Sequence, residues 1–130
     1  MLDLKGRNPR LASLVRETVE PELDRLSLTI CARSWKLLDA FAGLPVRRFG
    51  SVGNRRGLHR LERTSTERID GVSIHERLLT PPVAKKLARV GVTMTWPVND
   101  PKRARELLRL GVHGLITDDP AAIAPCLEAA

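Results

Sequence analysis

Tyrosine is absent from this chain, and two Phe and two Trp are its only aromatic residues. So few rings count against single-stranded nucleic-acid recognition, in which bases stack on aromatic faces. Cysteine is scarce as well. Cys31 and Cys126 lie far apart and outside any metal-ligand spacing, so they read as packing thiols in a reduced, cytoplasmic setting. No apolar run approaches the ~18–20 residues that cross a bilayer. Met1-Leu2-Asp3-Leu4-Lys5 lacks the charged-then-apolar order of a signal peptide. Neither G-x-G-x-x-G nor a Walker A sequence occurs, which removes the common nucleotide-binding loops.

What is present is basic. The 130 residues carry a net charge of +7, with arginine concentrated at Arg47, Arg48, Arg55, Arg56, Arg60 and Arg63. Such a patch attracts phosphate esters, anionic lipid headgroups or nucleic acid; a solvated basic face is the other reading. Nucleic acid ranks last, because the arginines are not interleaved with rings. The length suits one domain with a core of its own.

Six strand-then-helix units can be laid out, with strands beginning near residues 2, 26, 46, 71, 92 and 113. Leu2-Asp3-Leu4 precedes Asn8-Pro9, which cap and open a helix with Leu11, Leu14, Val15 and Val19 on one side. Leu26 to Cys31 leads to a helix placing Trp35, Leu38 and Phe41 inward, and Val46 to Phe49 leads to one holding Leu58 and Leu61. Gly71 to His75 precedes a helix capped by Thr80 and opened by Pro81, packing Val83, Leu87 and Val90. Val92 to Val98 precedes Asp100-Pro101 and a helix with Ala104, Leu107 and Leu108 inward, stopped by Gly111. Leu115-Ile116 and Asp119-Pro120 begin the last unit. A spacing of about 20–25 residues suits (β/α) barrel units, yet a closed barrel needs roughly 200 residues. The predicted fold is therefore an incomplete (β/α)8 TIM barrel of about six parallel strands.

Two segments add a resemblance. Trp96-Pro97-Val98-Asn99-Asp100 is similar to a W-T-V-N-D signature, and Gly111-Val112-His113-Gly114-Leu115-Ile116-Thr117-Asp118-Asp119-Pro120 to G-V-D-G-I-I-T-D-x-P. Both belong to the seventh and eighth strands of the glycerophosphodiester phosphodiesterase family. Leu2-Asp3-Leu4-Lys5-Gly6 resembles that family's third strand, and Ser73-Ile74-His75 with Leu78-Leu79-Thr80-Pro81 its sixth. The similarity spans residues 1–130 as one partial domain, strands three to eight. It implies a metal-dependent phosphoric diester hydrolase of glycerophospholipid metabolism, using Ca²⁺ or Mg²⁺ on a glycerophosphodiester. The family's H-R-G, E-x-D and H-D segments, which bring the catalytic histidines and most metal ligands, have no counterpart here. The expectation is a shortened chain, inactive in isolation. The alternative is a non-catalytic module that binds phosphoesters or lipid headgroups.

Several positions keep candidate chemistry. Asp3 and Lys5 alternate on one strand and so point the same way. By resemblance, Asp3 matches a metal-binding Glu one methylene longer, and Lys5 a lysine that neutralises phosphate; an ordinary Asp–Lys pair is the alternative. His75 ends an apolar strand at the barrel mouth and is either a weak catalytic candidate or structural, whereas His59 and His113 read as surface residues. Trp96 matches an aromatic lining the substrate pocket, with core packing as its alternative. Asn99 either hydrogen-bonds a ligand or caps the next helix with Asp100. Asp118 and Asp119 read as caps whose charge disfavours phosphate. Gly50 to Arg56 reads either as a loop whose amides, with Arg55 and Arg56, bind an anion or as a structural turn. A wall short of two strands also leaves unpaired edges, which predicts self-association.

Overall fold

Side-chain caps set where the helices begin. Asn8 accepts from the Arg10 amide, Asn54 from Gly57, Asp100 from Lys102 and Arg103, and Asp119 from Ala122. Each such cap stabilises its helix by about 1 kcal/mol. The computed structural model describes residues 1–128. Its helices are α1 (Pro9–Val19), α2 (Arg55–Arg63), α3 (Pro81–Leu87), α4 (Pro101–Arg109) and α5 (Pro120–Glu128). Proline begins α1, α3, α4 and α5, where its missing N–H costs nothing. Thr80 precedes α3 without making the capping bond expected of it.

The strands are β1 (Leu2–Leu4), β2 (Thr29–Ala32), β3 (Arg47–Val52), β4 (Gly71–His75), β5 (Val92–Trp96) and β6 (Gly114–Leu115). They form one six-stranded sheet in sequence order, and every neighbouring pair is parallel. This is the incomplete barrel expected: a curled wall with helices on its outer side, and β1 and β6 as its free edges.

Three local expectations are corrected. The second connection is a 3₁₀ run, Trp35–Phe41, rather than an α-helix, and it still buries Leu37, Leu38 and Phe41. In α1 the packed face is Ala12, Val15 and Val19, while Leu11 and Leu14 are 36% and 50% exposed. That helix carries two apolar stripes, and the neighbouring 3₁₀ run takes the one with the small Ala12. Third, β3 continues through Gly50, Ser51 and Val52, because all three pair with β4.

The core lies between the sheet and its helices. Ile30, Ala32, Val52, Val72 and Ile74 point outward against buried residues such as Leu38 and Leu107. Fully burying a side chain of that size contributes about 1.5–3 kcal/mol. In β5 the alternation runs against polarity: Thr93 and Thr95, paired with Val72 and Ile74, lie on the buried side. Val92, Met94 and Trp96 therefore face the barrel axis, where they are half-buried.

Trp35 lies flat on β3. A Cβ at Gly50 would stand 2.6–2.8 Å from three atoms of its indole. Gly50→Ala is accordingly expected to displace the indole and destabilise the fold by about 1–3 kcal/mol. Urea unfolding measures this, and an unchanged midpoint would contradict the contact.

Candidate functional site

Alternation along a strand decides which side chains reach the barrel axis, and register decides which of them meet. The pairings place Asp3, Cys31, Phe49 and Gly71 in one inward row. One step nearer the strand ends comes a second row of Ser51, Ser73 and Met94, and Lys5 and Arg33, the residues just past β1 and β2, continue its alternation. Above it, at the mouth, are Gly53, His75 and Trp96.

Asp3 and Lys5 do point the same way, and the Lys5 ammonium bonds the Asp3 carboxylate directly. The lysine side chain is 83% exposed, so this pair is largely screened by water. His75 stands edge-on to Trp96 with ring centroids 5.0 Å apart. Its Nδ1 accepts the Arg77 amide at 3.2 Å, so the neutral ring carries its proton on Nε2. The turn that supplies this amide is anchored by Arg103, which donates to the Glu76 carboxylate at 2.8 Å and the Glu76 carbonyl at 3.0 Å. Those bonds, together with Glu106, raise the Arg103 pKa above its ordinary value, against the opposing effect of its partial burial.

Asn99 does not cap α4; Asp100 does so alone. The Asn99 amide joins the two neighbouring turns instead. Its oxygen accepts from the Thr117 hydroxyl and the Asp118 amide, and its nitrogen donates to the Asp118 carboxylate, all within 3.0 Å. Asp118 is thus this amide's partner, and Asp119 caps α5. Among the histidines off the mouth, His113 accepts the Thr93 amide and His59 pairs with Glu62.

The anion loop expected at Gly50 to Arg56 is largely absent, since Gly50, Ser51 and Val52 are strand. Only Gly53 and Asn54 remain between β3 and α2, and Asn54 itself takes the Gly57 amide. Arg55 and Arg56 stand exposed on the first turn of α2.

Arg33 is the mouth residue that sequence reasoning passed over. It lies two positions beyond Cys31 and therefore shares its inward phase, which is the signal that could have found it. A Cβ at Gly53 would be 2.9 Å from Arg33 Nη2 and 3.5 Å from Trp96 Cη2. The guanidinium and the indole thus lean over the same bare glycine.

Cys31 is buried beneath this layer, and its pKa is pushed up to about 12, first by burial and then by the Asp3 carboxylate. Ser73, Lys5 and Ser51 pull the other way and do not prevail. The expected packing thiol is therefore an inert one, on the inner side of the sheet. Cys126 packs in the outer core.

A divalent cation needs several oxygen ligands around it. On the inner face Asp3 offers one carboxylate, already bonded to Lys5, and the nearby Cys31 stays protonated. Among the described residues no three His, Cys, Asp or Glu side chains come together. This donor set does not fit a Ca²⁺ or Mg²⁺ site. No helix among the described residues is long and apolar enough to cross a membrane.

Comparison with known proteins agrees with this geometry. The model of the glycerophosphoryl diester phosphodiesterase family matches residues 24–122. No curated protein sequence matches the chain. A glycerophosphoryl diester phosphodiesterase from Silicibacter pomeroyi superimposes with a TM-score of 0.79 at 18% identity, over 99% of this chain and 50% of its own. An Oleispira antarctica phosphodiesterase, solved in complex with the product sn-glycerol-3-phosphate, gives 0.75 at 20% identity, over 98% and 54%. A glycerophosphodiester phosphodiesterase from Thermotoga maritima gives 0.72 at 19% identity, over 100% and 57%. These likenesses show the fold, and the chain spans little more than half the length of the structures it matches.

Cys31 offers a test of the inner layer. Its pKa rises from 9.0 to about 12 on folding, so above pH 9 the unfolded chain loses this proton first. The stability tied to the neutral thiol is complete below pH 9 and is lost between pH 9 and 12, about 4 kcal/mol in all. Urea midpoints of Cys31→Ser are expected to fall less steeply than wild type across that window. Parallel slopes would contradict the placement of Cys31.

Proposed function

Since the chain belongs to the glycerophosphoryl diester phosphodiesterase family, we propose that it binds the glycerophosphate group of a glycerophosphodiester at its strand-end mouth and does not hydrolyse it unaided. The observation that carries the reading is the position of Lys5, bonded to the inward Asp3 just past β1, and of Trp96 at the inward end of β5, both at the ends of parallel strands. In barrels of this kind that end is where ligands bind. A relative of the same fold holds sn-glycerol-3-phosphate. Lys5 neutralises the phosphate, exchanging its bond to Asp3 for one to the ligand. Trp96 covers the glycerol carbons, with His75 packed against its ring. Arg55 and Arg56 add attraction from the rim, and this part weakens with salt. Asn99 contributes by holding the Thr117-Asp118 turn in place.

Ester hydrolysis calls for an acid and a base on either side of the phosphorus, together with charge neutralisation. The mouth brings one histidine, His75, and Asp3 stands as a lone candidate metal ligand. The reading of an inactive phosphodiesterase relative and that of a phosphoester- or headgroup-binding module therefore converge for this chain. Free thiols at Cys31 and Cys126 fit a cytoplasmic setting. The unpaired edges β1 and β6 favour association between copies.

The test pairs calorimetry with an assay. Purified protein is expected to bind sn-glycerol 3-phosphate and to release none from glycerophosphocholine, with or without added Ca²⁺ or Mg²⁺. Lys5→Ala should weaken binding roughly ten- to a hundredfold, the loss of one charge-assisted bond of about 1.5–3 kcal/mol. Undetectable binding would overturn the first half of the proposal, and turnover above blank the second.

A further inference from the structure

We propose that Arg33 is the principal cation for a phosphate monoester at the mouth, so that the dianion is held without a metal ion. The inference rests on the reading that the mouth takes a phosphoester, and it names the group that neutralises it. Its starting point is a mismatch: the inner face lacks the donors for a divalent cation, yet it carries a guanidinium with no acidic partner. Among the described residues Arg33 makes no ion pair, whereas Arg16, Arg68 and Arg103 each bond a carboxylate.

Arg33 is exposed, and three features bear on where its charge points. Arg33 follows β2 in the inward phase of Cys31, on the strand next to Lys5. Its Nη2 occupies space that any side chain at position 53 would enter, 2.9 Å from where a Cβ would stand. The same point lies 3.5 Å from the Trp96 ring, which directs the guanidinium across the mouth rather than away from it. His75, beside Trp96, brings an Nε2–H donor to the same rim because its Nδ1 is held by the Arg77 amide. A planar fork and an ammonium at the adjacent ends of β2 and β1, with an imidazole N–H facing them from β4, offer donors of the kind that phosphate oxygens take. Arginine grips such oxygens two at a time, which an ammonium cannot do. A monoester dianion suits these two cations better than a diester monoanion, so the product-like half of a glycerophosphodiester is the favoured ligand class.

The experiment is calorimetric titration of the full chain with sn-glycerol 3-phosphate and with inorganic phosphate, in EDTA at low salt. Wild type is expected to bind both in EDTA, and added Ca²⁺ or Mg²⁺ to leave the affinity unchanged. Arg33→Ala should weaken both ligands by tenfold or more, and Arg33→Lys should recover part of the loss. Gly53→Ala, which crowds Nη2, should weaken them severalfold, and Arg89→Ala at the opposite end should match wild type. Binding by wild type that survives Arg33→Ala unchanged, or that appears only with a divalent cation, would overturn this inference and leave the proposed function standing. Absence of binding by wild type would remove both.

Discussion

Parallel pairing in strict chain order is the constraint on which the rest of this molecule depends. Every strand enters at the same end and leaves at the same end, so the residues after β1 to β6 gather at one rim. Alternation then divides each strand between two environments. Outward residues such as Ile30, Val72 and Ile74 lose their water to the helices. Inward residues form a polar, partly open surface in which Asp3, Lys5, Ser51 and Ser73 are all close enough to act on Cys31. A slip of one residue anywhere in the ladder would exchange the two faces, burying Lys5 or Arg33 in the helical layer at prohibitive cost.

Large inward side chains of the six strands lie down against the sheet. Phe49 is only 1% exposed although it faces the axis, because its ring lies across Gly71, where a side chain would collide with it. Met94 approaches Gly114 in the same manner. Glycines on the adjacent strands thus let large inward side chains fold down onto the sheet. The less tidy places are at the first edge, where Met1, Leu2 and Leu26 are 52%, 40% and 50% exposed. Exposed apolar groups beside an unpaired strand are the ordinary ingredients of association.

Much of the architecture was legible in the chain because it is written locally. Asn8-Pro9 and Asp100-Pro101 open helices, and Gly111 closes one with φ of +85°. The predicted strand starts fall within about three residues of the observed ones, a usual error for element boundaries. What escaped was decided by pairing. Gly50-Ser51-Val52 followed by Gly53-Asn54 has the composition of a turn, yet hydrogen bonding to β4 keeps the first three extended. Thr93 and Thr95 alternate with Val92, Met94 and Trp96, and only the register shows which set is buried. Arg33 was hidden for the same reason: a basic residue after a strand reads as solvated until the strands beside it are placed. Asn99 looked available because its partners, Thr117 and Asp118, arrive from a turn 18–19 residues later.

A binding mouth formed by the strand ends is the centre of this account, and an NMR titration with sn-glycerol 3-phosphate examines it most directly. Amide and side-chain shifts are expected at Lys5, Arg33, Gly53, His75 and Trp96, saturating together with one dissociation constant. Shifts confined to the arginines of α2, or to residues at the strand beginnings such as Arg47 and Val92, would place the ligand elsewhere and contradict it.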